Sequence, residues 1–147
     1  MIYNIFPDMS GDIARWVCRG LNTDVNWLHD NIAFGFAVDE RMVGGLIFHD
    51  YRPHQDVWWT VYACEKNWCN RRMLKEMFEI AFKRLDCKRI NILVSTKNSH
   101  CLHFVERLGF KQEGVLRQFA ENGDDCYILG MLRNECPWFK ILTGDKK

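Results

Sequence analysis

Apolar and polar positions along this chain follow two different periods, and the switches between them mark its elements. Residues 1–6 read as a short strand. Ser10 is then a candidate N-cap for a helix in which Ile13, Trp16 and Val17 recur at helical spacing and which Gly20 can close. Thr23 is the candidate cap of a second short helix carrying Val25, Trp27 and Leu28. Three strand-like runs follow. Residues 33–38 alternate Phe34, Phe36 and Val38 against Ala33, Gly35 and Ala37, and Asp39-Glu40-Arg41 forms a turn. Residues 42–50 resume as a strand in which Gly44-Gly45 marks a bulge or a close approach of backbone. After the loop 52–55, residues 56–64 are β-branched and aromatic on both faces, as a central strand requires.

The period then changes. Leu74, Met77, Phe78, Ala81, Phe82 and Leu85 share one helical face, which predicts a long amphipathic helix. Residues 89–96 return to strand. Asn98 or Ser99 caps a further helix carrying Cys101, Leu102, Val105 and Leu108, and Gly109 stops it. Residues 110–119 and 126–132 read as an antiparallel pair joined through Glu121-Asn122-Gly123-Asp124. The strand at 56–64, the long helix and the strand at 89–96 form a βαβ unit, so those two strands are expected to be parallel. The predicted class is α+β: a mixed, mostly antiparallel sheet with one parallel pair and flanking helices. A single domain is expected over residues 1–142, with 143–147 as a frayed tail.

Composition narrows the function classes. The chain has 147 residues, 48% of them apolar and 27% charged, so it can bury a core and is not disordered. A net charge of +1 gives no support to a dedicated nucleic-acid binder. No apolar run approaches the roughly 20 residues of a membrane span, and the first residues lack the charged and apolar regions of a signal peptide. Seven cysteines are an odd number with no CxxC spacing, while six Trp and 10 Phe supply a core without staples. Reduced thiols in a cytoplasm are expected. The charge is unevenly spread. Residues 1–64 carry 4 basic and 8 acidic side chains, net −4, and residues 65–89 carry 8 basic and 4 acidic, net +4. The first segment could attract a cation and the second an anion; the plain alternative is two solvated faces.

The order of elements, and the phrase NSHCLHFVERLGFKQEG at residues 98–114, resembles the GNAT superfamily of acyl-CoA-dependent N-acetyltransferases. The matching features are Asn98, the helical pattern, Gly109-Phe110 and Lys111-Gln112-Glu113-Gly114, followed by Arg117. They look most like the branch that contains the ribosomal-protein N-terminal acetyltransferases and small bacterial and viral relatives. The resemblance implies a GNAT fold in which the two parallel strands splay apart, with acetyl-CoA as co-substrate and no metal. It also implies transfer of the acetyl group to an amine on a small molecule or a protein, and no membrane partner. A homodimer is compatible with it.

The resemblance assigns donor contacts by position. The backbone around Tyr62, Ala63 and Cys64 corresponds to the stretch facing the thioester carbonyl, and Asn98 to the residue that bonds the pantetheine arm. The pyrophosphate loop departs from the family's Q/R-x-x-G-x-G/A. Here it reads Glu65-Lys66-Asn67-Trp68-Cys69-Asn70-Arg71-Arg72, without glycine. Either Lys66, Arg71 and Arg72 supply charge along a wider loop that includes Trp68, Cys69 and Asn70, or donor binding is weakened and the protein is a non-catalytic GNAT-fold binding or assembly protein. A cation cluster at a helix N-terminus opposes the macrodipole unless an anion sits there, which favours the first.

Many family members place a tyrosine acid seven residues after the asparagine; here that residue is Val105. Cys101, three residues after Asn98, is the candidate acid for the departing thiolate, against the alternative that it merely packs. His100 and His103 with Cys101 tempt a metal reading, but Cys101 projects from another face and no further ligand stands at motif spacing. His49, Asp50 and His54 could hold a water-relayed base, with Glu65 as an alternative. Trp58, Trp59, Tyr62 and Trp68 could wall a cationic substrate or simply fill the core. Asp8, Asp12, Asp24, Asp30, Asp39 and Asp56 would favour a basic acceptor.

Overall fold

The computed structural model describes residues 1–8 and 10–138, so the expected tail at 143–147 lies outside the described residues. The strands are β1 (Tyr3–Asp8), β2 (Asn31–Val38), β3 (Arg41–Arg52), β4 (Asp56–Ala63), β5 (Arg89–Ser95), β6 (Lys111–Leu116) and β7 (Cys126–Leu132). The helices are α1 (Asp12–Gly20), α2 (Arg71–Glu79) and α3 (Ser99–Leu108). The class is the mixed, mostly antiparallel α+β expected. The chain divides into two compact units, Met1–Tyr51 with Trp58–Met77, and Arg52–Val57 with the chain from Phe78 onward.

In the first unit the strands run in the order β1-β2-β3-β4, with β1–β2 and β2–β3 antiparallel. Side chains alternate between the two faces of this sheet. Ile13, Ala14, Val17 and Cys18 of α1 close over Ala33 and Ile47 on one face. Gly45 lets α1 approach, because a Cβ there would meet Val17. On the other face Phe34, Phe48 and Trp59 pack edge to face. The glycine pair marks two close approaches, one to each face, and the register shift opposite Phe36 and Ala37 leaves Val43, beside Gly44, as an extra residue on β3. Trp68 fills the space over Gly44, its ring 4.8 Å from that of Phe36.

The start of α1 differs from expectation. Its N-cap residue is Gly11, at φ 93°, a backbone setting that suits glycine. The capping is done from further back: Asp8 accepts from the Ile13 N–H (2.9 Å), the Ser10 N–H (3.1 Å) and the Ser10 hydroxyl (2.7 Å). Ser10 accepts from the Asp12 N–H at 3.2 Å, so it joins the cap without being the N-cap. The second short helix is a single 3-10 turn, Val25–Trp27, capped by Asp24 in place of Thr23.

In the second unit β7 lies between β5 and β6, antiparallel to both. Phe78 stacks on Phe82 and on Trp138, at 6.5 and 6.0 Å between ring centres, and meets Phe110 at 6.2 Å. The long helix does not stay regular: residues 80–84 form a π turn, closed by the Leu85 N–H donating to the Ile80 carbonyl at 2.9 Å. The buried positions Met73, Met77, Ala81 and Leu74, Phe78, Phe82 share one face, and Ala81 and Phe82 stay buried through the wider turn. β6 ends at Leu116, short of the expected residue 119, because Gln118 takes a left-handed conformation (φ 56°) and starts the turn. Gly109, at φ 120°, ends α3 as expected.

These contacts generate two expectations for stability. Gly44→Ala puts a methyl group 2.5 Å from the Trp68 ring and is expected to cost about 1–3 kcal/mol in urea unfolding. Asp8→Asn is expected to lower the urea midpoint at pH 7. The backbone and hydroxyl donors hold the Asp8 carboxyl below its ordinary 3.8, so its contribution is present above that pH and is lost as pH falls through the folded value. Wild type and variant should therefore converge in acid.

Candidate active site

The end of β4 is where strand geometry assigns a chemical role. The Cys64 N–H donates to the Val43 carbonyl at 2.9 Å, and the Cys64 thiol lies 3.6 Å from the same oxygen. Successive N–H groups of a strand point to opposite edges. Tyr62 and Cys64 are therefore turned towards β3, and Ala63 presents its N–H on the edge away from β3. Of the three expected backbone positions, Ala63 alone has the orientation that a ligand alongside β4 would need. The Tyr62 side chain is committed elsewhere. Its ring meets Trp16 at 5.2 Å and lies directly over Gly20.

The turn that follows is built around Trp68, which is 5% exposed and belongs to the core. Glu65 is held by Arg41 through two bonds of 2.8 and 3.0 Å, so it is not a ready base. Lys66 is exposed. Burial pushes the Cys69 thiol up to about 12, which makes it inert. Asn70 caps α2: its side-chain oxygen accepts from the Met73 N–H at 3.0 Å, and its carbonyl from the Leu74 N–H at 3.0 Å. Arg71 and Arg72 then occupy the first turn of α2, exposed and with no acidic residue in that turn. Arg72 reaches the Tyr3 carbonyl at 3.4 Å.

In the second unit Asn98 is the N-cap of α3, its side-chain oxygen accepting from the Cys101 N–H at 3.2 Å. Cys101 is partly buried, and desolvation pushes its thiol up to about 11. Val105, at the position where the resemblance would place a tyrosine acid, is 1% exposed and belongs to the core.

Of the expected base cluster, the structure joins two members and separates the third. His49 Nδ1 lies 2.7 Å from Asp50 Oδ2, and His49 Nε2 lies 2.8 Å from Thr60 Oγ1. Thr60 carries no signal in the sequence, since one threonine in a β-rich run is ordinary. His54 bonds Asp86 instead, at 2.9 Å, and Arg133 bonds the other oxygen of that carboxylate.

The acids expected to draw in a basic acceptor are largely occupied. Asp8 and Asp24 cap helical turns, Asp12 pairs with Arg15, Asp39 accepts from the Ile2 N–H, and Asp56 is held by Arg52 and Asn91. Segment charge therefore overstates the pull on a cation, because local pairing consumes it. Among the described residues no group of three His, Cys, Asp or Glu is placed to hold a metal ion, and no helix is long and apolar enough to cross a membrane. None of the seven cysteines forms a disulfide.

A family profile described as an acetyltransferase (GNAT) domain matches residues 16–127. This chain belongs to the GNAT acetyltransferase family. Membership makes it an acyltransferase. No curated protein sequence matches it. Solved structures share its fold at low identity. Spermidine N-acetyltransferase from Vibrio cholerae in complex with CoA and spermine has a TM-score of 0.70 at 13% identity, covering 90% of this chain and 96% of that one. Mutant forms of the spermidine/spermine N-acetyltransferase SpeG from the same organism give a TM-score of 0.69 at 16% identity, covering 90% and 95%. A dodecameric structure of that organism's spermidine N-acetyltransferase, in an intermediate state, gives 0.70 at 16% identity, covering 90% and 94%.

The raised Cys101 thiol can be checked directly. At pH 8 a thiol of pKa about 11 is only about one thousandth thiolate. Iodoacetamide labelling of Cys101, read by peptide mass spectrometry, should be slow at that pH and accelerate steadily up to about pH 11.

Proposed function

We propose that this GNAT acetyltransferase binds acetyl-CoA and transfers its acetyl group to a primary amine by direct attack, without an acyl-enzyme. The observation that carries this reading is the N-terminal turn of α2, in which two exposed arginines stand at the positive end of the helix and no acidic residue shares their turn. That arrangement opposes the helix dipole and favours a bound polyanion. The loop needs no glycine if charge and side-chain length do the work of close backbone approach. Lys66, Arg71 and Arg72 reach for the pyrophosphate from around a turn whose centre is filled by Trp68. Cys69 and Asn70 hold that turn in shape.

Along the donor, the Ala63 N–H polarises the thioester carbonyl, flanked by Tyr62 and Cys64, whose own N–H groups tie the strand in place. Asn98 uses its oxygen as the cap, and its NH2 end supplies the donors that a pantetheine amide oxygen needs. Cys101 hands its proton to the CoA sulfur. A thiol held up at about 11 keeps that proton at every physiological pH. A CoA thiolate shielded from water is raised by the same desolvation, so the transfer stays close to balanced. The acceptor is an amine-bearing small molecule or protein: a protein N-terminus, a lysine or a polyamine-like amine. Structural likeness to spermidine acetyltransferases supports the last of these. A cytoplasmic site, where acetyl-CoA and reduced cysteines coexist, suits this chemistry, and the protein needs no metal for it.

Isothermal titration with acetyl-CoA, followed by an amine panel read through released CoA thiol, tests the reading. Arg71→Glu with Arg72→Glu is expected to raise the acetyl-CoA Kd by about 10-fold or more, with circular dichroism unchanged because both residues are exposed. Unaltered affinity would remove the phosphate role. Cys101→Ala is expected to lower kcat by about 10-fold while leaving the KM for acetyl-CoA in place.

A further inference from the structure

His49 is a buried titratable residue that none of the donor contacts uses. It is 6% exposed, near the end of β3, on the face of the sheet covered by α1. A buried imidazole without partners would be costly, but here both ring nitrogens are bonded, one to Asp50 and one to the Thr60 hydroxyl of β4. The chemistry of the partners sets the tautomer. A carboxylate only accepts, so Nδ1 carries the proton. Nε2 then offers a lone pair, and the Thr60 hydroxyl donates to it. A threonine hydroxyl whose proton is committed to an imidazole keeps its own lone pairs for a second donor.

From this geometry we propose that Thr60, His49 and Asp50 form the proton relay that deprotonates the acceptor amine. The proposal rests on the acetyl-transfer reading above and supplies the base that reading lacks. Thr60 lies three residues before Ala63 on the same strand, about 10 Å at ~3.3 Å per residue, so the amine reaches its hydroxyl through bound water. The ammonium R–NH3⁺ gives one proton to that water, the water gives one to Thr60 Oγ1, and the Thr60 proton passes to His49 Nε2. The amine lone pair then forms the N–C bond to the acetyl carbon. The C–S bond breaks with its electrons on the CoA sulfur, that sulfur takes the Cys101 proton, and the second amine proton passes through water to restore the Cys101 thiol. The products are the acetamide, CoA thiol and a His49 imidazolium held by Asp50. Asp50 has a side chain 59% exposed, which gives the imidazolium proton a path back to solvent.

The surroundings suit a base that is neutral before each turnover. Burial lowers the His49 pKa from its ordinary 6.5, and Asp50 is the charge that opposes this lowering. β4 contributes the neutral Thr60 hydroxyl, and β2 places the neutral Asn31 opposite His49 in the register. On α1, Asp12 and Arg15 pair with each other, and Arg19 stands in the last turn. The acid limb of kcat/KM is thus expected below pH 6.5.

The test combines a spectroscopic and a kinetic arm. Ring nitrogen NMR of the ¹⁵N-histidine protein should show His49 as the Nδ1–H tautomer at about pH 7.5; an Nε2–H tautomer would overturn the relay whatever the activity. Thr60→Val is expected to lower kcat by about 100-fold with the acetyl-CoA Kd unchanged, and Thr60→Ser to restore most of it. Asp50→Asn removes the group that raises the His49 pKa, so its acid limb should move to lower pH with a reduced plateau. Wild-type transfer matched by Thr60→Val would overturn the relay alone. Acetyl-CoA binding without transfer to any amine in the panel would overturn the transfer reading, and the relay with it. An acetyl group trapped on Thr60 by mass spectrometry would show a nucleophile in place of a relay.

Discussion

Trp68 can occupy its place only because residue 44 has no side chain. The Cβ of any other residue would stand 2.5 Å from the indole, which packs edge to face with Phe36. This one close packing decides how the chain leaves β4. The turn cannot fall across the sheet, because its largest side chain is already wedged over β3. Asn70 is then delivered to the start of α2 in position to cap it, and the arginines that follow open the helix. Families that build this turn from glycines bring backbone close to phosphate. Here a buried aromatic residue anchors the turn, and long cations extend from it. Rigidity comes from the core and charge from the rim.

The same division between fixed scaffold and available group recurs at the end of β4. The bond from Cys64 to Val43 looks like one more rung of a ladder, but it also determines which N–H of the neighbouring residues is turned out of the ladder. Hydrogen bonds that stabilise the sheet thereby orient the donor that a thioester would meet. His49 shows the same economy. Its two ring nitrogens need partners because the residue is buried, and the partners that satisfy burial also set its tautomer.

Much of this is legible in the sequence, for physical reasons that differ by element. α3 can be read nearly residue by residue, because Asn98 caps through its own side chain and Gly109 ends the helix through its own φ; both signals are local. The strand at 42–50 and its glycine pair are legible as an element. That the two glycines serve opposite faces is not, since that needs the identity of what packs on each. Ser10 fails as an N-cap because Asp8, two residues earlier, is the stronger acceptor, and only the backbone path decides which of two polar groups wins. Thr60 is invisible because its meaning comes from a histidine on another strand. The acidic residues mislead in the opposite way: summed by segment they suggest a field, while the folded chain pairs most of them within a few ångströms.

The π turn at residues 80–84 bears on how this domain can change in length. The wider turn leaves the aromatic stack of Phe78 and Phe82 in place. Removing one residue from that stretch would let the ladder close with ordinary α bonds, because a π turn holds one more peptide than the α turn it replaces while advancing the chain by nearly the same rotation. Cys87 and the entry to β5 would then keep their side of the helix axis. A deletion elsewhere in the helix has no wide turn to absorb it and would rotate everything beyond it by about 100°. The helix carries a phase, and residues 80–84 are the stretch where its length can change by one residue without losing it.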